Sequence, residues 1–143
     1  MIIRFHFMCE VKLVRRRELK FFIEKIFESE VTDAKRVDVI FCDDDFLLKI
    51  NRDFLQHNYL TDIVSFNLNE LITPILGEIY ISEERVRENA KKLKTFFNEE
   101  LHRVIFHGIL HFCGFDDKKK KDKSIMRQKE NYYLDKYFVS RGT

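Results

Sequence analysis

The 143-residue sequence predicts an α+β fold: a small mixed sheet of four strands packed with about five helices. Three observations support this. Short alternating segments and longer segments of 3.6-residue period both occur, and they do not alternate strictly along the chain. The apolar fraction, 45%, is enough for a well-buried core in a chain of this length. One proline and four glycines leave no linker, and no repeat or low-complexity block divides the sequence, so residues 1–143 are expected to form a single domain.

Taken in order, residues 2–7 read as a first strand. Leu19, Phe22, Ile23, Ile26 and Phe27 follow the i, i+3, i+4, i+7, i+8 rule and predict an amphipathic helix over about 15–29. Val37, Val39 and Phe41 alternate with polar neighbours and mark a second strand. Asp43, Asp44 and Asp45 supply an N-cap and first-turn acids for a helix carrying Phe46, Leu47, Ile50 and Phe54. The β-branched and aromatic segment TDIVSF at 61–66 predicts a third strand, and LGEIYI at 76–81 a fourth. Ser82 is placed to cap a helix whose Val86, Ala90, Leu93 and Phe97 share a face. Asn98 is expected to cap the next, which buries Leu101, Val104, Ile105 and Ile109. A last helix is expected over about 122–138.

Net charge is +2, which excludes a polycation that coats nucleic acid indiscriminately. The basic residues are nevertheless clustered, at Arg15, Arg16 and Arg17 and again at Lys118, Lys119, Lys120 and Lys121. A lysine run of this kind is either a solvated turn or, at the mouth of an active site, an attractor of polyanions such as RNA. No apolar run reaches bilayer-spanning length, and the N-terminal residues lack a signal-peptide layout, so no membrane association is expected. Cys9, Cys42 and Cys113 are odd in number and form no CxxC pair, which argues against a disulfide framework and for a reducing cytoplasm.

The segment His107-Gly-Ile-Leu-His111-Phe-Cys-Gly114-Phe-Asp-Asp117 carries the chemistry. Residues four apart on a helix stand about 40° from each other around the axis, since each advances about 100°. His107 and His111 therefore present imidazoles to one metal ion. Gly114 supplies a residue able to take φ > 0 and end the helix sharply. Asp117 can then swing back as a third ligand, leaving one position for water, as in a catalytic zinc site. Gly108 lies inside this helix, where glycine costs roughly 1 kcal/mol against alanine and implies a packing or functional reason. The competing reading is a pair of core histidines followed by an ordinary glycine cap. Cys113 is either a further ligand or a small buried hydrophobe.

These residues resemble a known family. HGILHFCGFDD is similar to the HGxLHLxGYDH signature of the YbeY family of bacterial metal-dependent endoribonucleases, TDIVSF to its TDVLSF strand, and LGEI at 76–79 to its LGDI strand. With the helix order, the similarity extends over nearly all of the chain. It implies a zincin-like metal site and single-strand-specific endoribonuclease activity in ribosomal RNA processing and ribosome quality control. The 3′-end maturation of small-subunit (16S) rRNA is implied in particular, with RNA and the small ribosomal subunit as partners. His107 and His111 match the family's first two ligands. Asp117 stands where its third histidine usually lies, which keeps a ligand but makes harder ions such as Mn²⁺ plausible beside Zn²⁺. An arginine that the family usually carries ahead of TDVLSF is Leu55 here, followed by Gln56, His57 and Asn58. That pattern is similar to Bacteroidetes-type members. His57 is either a partial replacement for the arginine's function or an ordinary loop histidine.

Asp62, Glu78 and Asp116 are candidates for general acid or base, or for orienting a ligand histidine. Two other classes compete. The spacing His-x₃-His-x₂-Gly-x₂-ligand is also that of metzincin proteases, but these carry a catalytic glutamate where this chain has Gly108. On the protease reading, a glutamate placed at 108 introduces proteolysis. The third possibility is a non-catalytic ribosome-binding factor whose metal only holds the fold.

Overall fold

A computed structural model describes residues 1–140. Four strands and five helices follow in the order β1 (Ile2–Phe7), α1 (Arg16–Ser29), β2 (Ala34–Cys42), α2 (Asp44–Leu55), β3 (Ile63–Asn67), β4 (Ile75–Ser82), α3 (Glu83–Leu93), α4 (Phe97–Phe112) and α5 (Lys120–Ser140). The sheet order is β1-β2-β4-β3. β1 and β4 both run parallel to β2, and β3 runs antiparallel to β4. The expected mixed four-stranded sheet with five helices is therefore what forms.

Strand alternation divides the sheet into two unlike faces. Val37, Val39, Phe41, Ile79 and Ile81 join α1, α4 and α5 in the main core. Cys42 and Val64, with Phe66 and Tyr80, meet Leu47, Phe46 and Ile50 of α2 in a smaller cluster. Further along the sheet, Asp38 forms ion pairs with Arg4 and Arg36 at 3.3 and 3.0 Å and a hydrogen bond of 2.8 Å with His6 Nε2.

Helix α4 is buried on most sides, as its near-continuous apolar sequence requires. It contacts α1, α3, α5, β3 and β4. Two glycines let it lie close to the sheet. A Cβ on Gly108 would meet Ile63 Cδ1 at 2.8 Å and Ile79 Cδ1 at 3.0 Å, and one on Gly77 would meet the Phe112 ring at 2.6 Å. The packing reason expected for Gly108 is thus its contact with β3 and β4.

Asp43 caps α2, accepting from the Phe46 amide at 2.8 Å, and Ser82 caps α3, accepting from the Arg85 amide at 3.3 Å. The expected Asn98 cap does not form. Helix α4 begins at Phe97, its N-cap is Phe96 without a side-chain bond, and Asn98 lies inside the first turn. There its carbonyl accepts from His102 Nδ1 at 2.7 Å. Phe97 likewise belongs to α4 and not to the face of α3; the Arg87 guanidinium covers its ring at 4.3 Å, joining the two helices. Leu93 closes α3 and is more than half exposed, because the helix ends as it leaves the core. Helix α5 starts at Lys120, two residues earlier than expected, so the end of the lysine run forms its first turn. No helix among the described residues is long and apolar enough to cross a membrane.

Candidate metal centre

The partly exposed positions Arg103, His107 and His111 of α4 recur every fourth residue, while the other residues from Glu100 to Leu110 are buried. This stripe faces a cavity of about 630 Å³ whose walls also include β3, the α2–β3 loop, the α4–α5 turn and α5. Gly114, at φ 98°, reverses the chain after α4 and returns Asp117 to the two histidines. The Asp116 carboxylate accepts from the Asp117 amide at 2.7 Å and tightens that turn.

Three donor atoms converge. His107 Nε2 lies 3.0 Å from His111 Nε2 and 3.1 Å from Asp117 Oδ2, and His111 Nε2 lies 3.6 Å from the same oxygen. Ligands bound tetrahedrally at zinc distances stand about 3.3 Å from one another, and the three separations fall on either side of that length. Among the described residues, His107, His111 and Asp117 form a group whose ligand atoms all lie within 4.8 Å, the spacing that could hold a metal ion.

The support for His107 was missed in the sequence. Its Nδ1–H donates to Glu130 Oε2 at 2.6 Å, and Arg103 Nη1 donates to Glu130 Oε1 at 3.0 Å. Glu130 is buried on α5. Burial alone would raise its carboxyl pKa, but the hydrogen bonds and charges of His107 and Arg103 outweigh burial and lower it. Burial draws the His107 pKa down, yet the bond to Glu130 and the nearby charges of Glu130, Asp117 and Asp62 carry it upward on balance. His111 goes the other way, lowered by burial and by the charge of His107. A carboxylate on Nδ1 fixes the His107 tautomer so that the Nε2 lone pair points at the shared site, the usual outer arrangement of a metal-bound histidine. The signal lay in the periodicity of α5, where Glu130 occupies the buried stripe of Met126, Tyr133, Leu134 and Tyr137.

The other expected residues divide. Asp62 and His57 line the cavity, as do Lys118, Arg127 and the buried Glu100. Burial raises the carboxyl pKa of both Asp62 and Glu100. Glu78 is not part of this wall; on β4 it accepts from the Tyr80 hydroxyl at 3.2 Å. Asp116 is likewise occupied in the turn. Cys113 ends α4 away from the three donors, with its thiol pushed up to about 11 by burial beside Thr32 and Glu30. It therefore behaves as the small hydrophobe of the two readings. Arg15 and Arg17 line a different cavity with Phe21, Lys25 and Tyr137, so the first basic cluster is not at this site.

The glutamate that a protease needs also has no place here. Gly108 faces Ile63 and Ile79, and a side chain at that position would be driven into the sheet.

Comparison with known proteins identifies relatives of the chain. A relative from Christiangramia forsetii named endoribonuclease YbeY is 46% identical over 129 residues, covering 90% of each chain. One of the same name from Flavobacterium psychrophilum is 42% identical over 138 residues, covering 95% of this chain and 98% of its own. The solution structure of a Thermotoga maritima protein superposes with a TM-score of 0.64 at 29% identity, covering 98% of this chain and 91% of that one. The profile of the family described as endoribonuclease YbeY matches residues 8–138, which hold all three donors, the Glu130 support and the α2–β3 loop that carries Asp62 to the cavity: the chain belongs to that family.

Proposed function

We propose that the protein is a metal-dependent, single-strand-specific endoribonuclease acting in ribosomal RNA processing, including 3′-end maturation of small-subunit (16S) rRNA and ribosome quality control in the cytoplasm. The observation that carries the reading is the convergence of His107, His111 and Asp117 in a cavity that also presents Lys118 and Arg127. Family membership supports RNA as the substrate class. The rRNA target and the small ribosomal subunit as partner follow from the resemblance described above.

His107, His111 and Asp117 would hold the ion, with zinc the first candidate for a two-histidine, one-carboxylate set. When bound, such an ion supplies a Lewis acid for a phosphoryl oxygen and lowers the pKa of water. The chain's own residues do the rest. Glu130 orients His107, and Arg103 holds Glu130. Asp62, whose carboxyl pKa is raised by burial, is a candidate to keep or accept a proton at the cavity wall. Lys118 and Arg127 draw the phosphate backbone to the opening.

The test is cleavage of single-stranded RNA by wild type and His111→Ala, with metal content measured on the same samples by mass spectrometry. Wild type is expected to carry about one equivalent of transition metal and to cleave. His111→Ala is expected to lose both. Cleavage that survives metal loss refutes the reading. Chelation that abolishes cleavage while helicity and RNA binding persist separates it from a binding factor with a structural metal.

A further inference from the structure

The wall of the cavity carries a pair of rings that metal chemistry does not use. His57 and Tyr59, both in the connection between α2 and β3, stack with centroids 5.2 Å apart and planes 21° from parallel. The Tyr59 hydroxyl and His57 Nδ1 share a hydrogen bond of 3.1 Å. Tyr59 remains 56% exposed.

An exposed aromatic in a connecting loop is ordinarily free to change rotamer. This pair is held. The chain turns at Gln56 in the left-handed region, at φ 58°, and the His57 amide donates to the Asn51 carbonyl at 3.1 Å. Asn51 is buried, and its side-chain Nδ2 donates to the Tyr59 carbonyl at 3.1 Å. One residue of α2 thus ties down both ring-bearing residues, one through its backbone and the other through its amide. These bonds hold the backbone that carries the two rings beside the cavity of the His107, His111 and Asp117 donors, and the bond between the side chains keeps the rings together.

A preorganised, half-exposed aromatic surface beside cations fits one occupant well. A nucleobase offers a flat π-face to stack, while the phosphates next to it are met by Lys118 and Arg127 on the same cavity. We infer that the His57–Tyr59 stack is a platform for an unpaired RNA base adjoining the phosphate presented to the metal centre. Tyr59 contacts the base, and Asn51 is a positioning residue that acts through the loop. The inference rests on RNA being the substrate, as proposed above. It also gives a physical source for single-strand preference, because a base paired within a duplex is stacked on its neighbours and its face is not available.

The test mixes the metal-loaded protein with a single-stranded oligoribonucleotide containing 2-aminopurine and follows fluorescence before cleavage develops. Stacking quenches this base. Wild type and Tyr59→Phe are expected to quench it. Tyr59→Leu, which keeps apolar bulk without a π-face, is expected to lose the quench and bind about tenfold more weakly. Its KM should rise more than its kcat falls, its discrimination against duplex RNA should shrink, and its metal content should match wild type. Asn51→Ala should weaken binding in the same direction by loosening the loop. Quenching and affinity in Tyr59→Leu equal to wild type overturn the platform while leaving the nuclease reading intact, as does a wild type that cleaves without quenching. A wild type that holds metal but neither binds nor cleaves RNA overturns the nuclease reading itself, and the platform with it.

Discussion

His107 Nδ1 lies 2.6 Å from Glu130 Oε2, so a carboxylate 23 residues away on another helix sets which nitrogen of His107 faces His111 and Asp117. A buried, charge-assisted bond of this length is among the stronger hydrogen bonds in proteins. Glu130→Gln is expected to lower metal affinity about 10- to 100-fold, measured by competition with a chromophoric chelator. Unchanged affinity would show that the bond does not orient His107.

Asp117 reaches the two histidines only through the turn at Gly114. Asp117→Ala is expected to lose most of the bound metal, and Asp117→His to retain it, since an imidazole can replace the carboxylate as a ligand. Metal analysis of the three proteins decides this. Equal metal content in Asp117→Ala and wild type would remove Asp117 from the ligand set.

Gly108 governs how closely α4 lies on the sheet. Its missing Cβ would press on the flexible ends of Ile63 and Ile79, an overpacking of about 1–3 kcal/mol, partly offset by about 1 kcal/mol of helix propensity. Gly108→Ala is therefore expected to destabilise the protein by about 1 kcal/mol in chemical denaturation. Gly108→Glu forces a carboxylate into the same apolar contact and is expected to fold poorly and to leave casein intact. Proteolysis by a stable Gly108→Glu protein would contradict the geometry described for α4.

Lys118 lines the metal cavity, whereas Lys120 and Lys121 run into the first turn of α5. Replacing Lys118 with alanine should reduce the slope of log affinity against log salt for single-stranded RNA by about 0.7, the contribution of one phosphate contact. An unaltered slope would place the RNA backbone elsewhere.

Burial raises the Cys113 thiol to about 11 and the Cys42 thiol to about 12, from 9.0. The sign follows directly. The neutral thiols are favoured in the fold, this contribution is complete below pH 9, and it fades as pH rises through the folded values. Alkylation by iodoacetamide should be slow at pH 8 and climb only in strong alkali, while the unfolded chain titrates near 9. Chelation should not accelerate Cys113 labelling; marked acceleration would return it to the metal site.

Much of the site could be read from one contiguous segment, because the geometry it needs is local. Helical spacing brings His107 and His111 together, and Gly114 with the residues after it returns Asp117, all within the eleven residues 107–117. The periodic segments likewise marked all four strands and five helices, and the caps at Asp43 and Ser82 formed as their side chains predict. Asn98 does not cap for a physical reason: a good capping residue cannot cap once the helix begins before it, and the packing of Phe97 under Arg87 goes with a start two residues earlier.

The sequence by itself determined the kinds of element, the candidate metal-ligand set and the family resemblance, since all three depend on residues near one another in the chain. Only the tertiary structure decided that Glu130 supports His107, that Glu78 and the arginine cluster stand apart from the cavity, and that Asn51 holds the His57–Tyr59 pair at its edge. Those relationships depend on how α5 packs on α4 and how the α2–β3 loop folds back. Such distances are settled by burial across the whole molecule, and no local spacing encodes them.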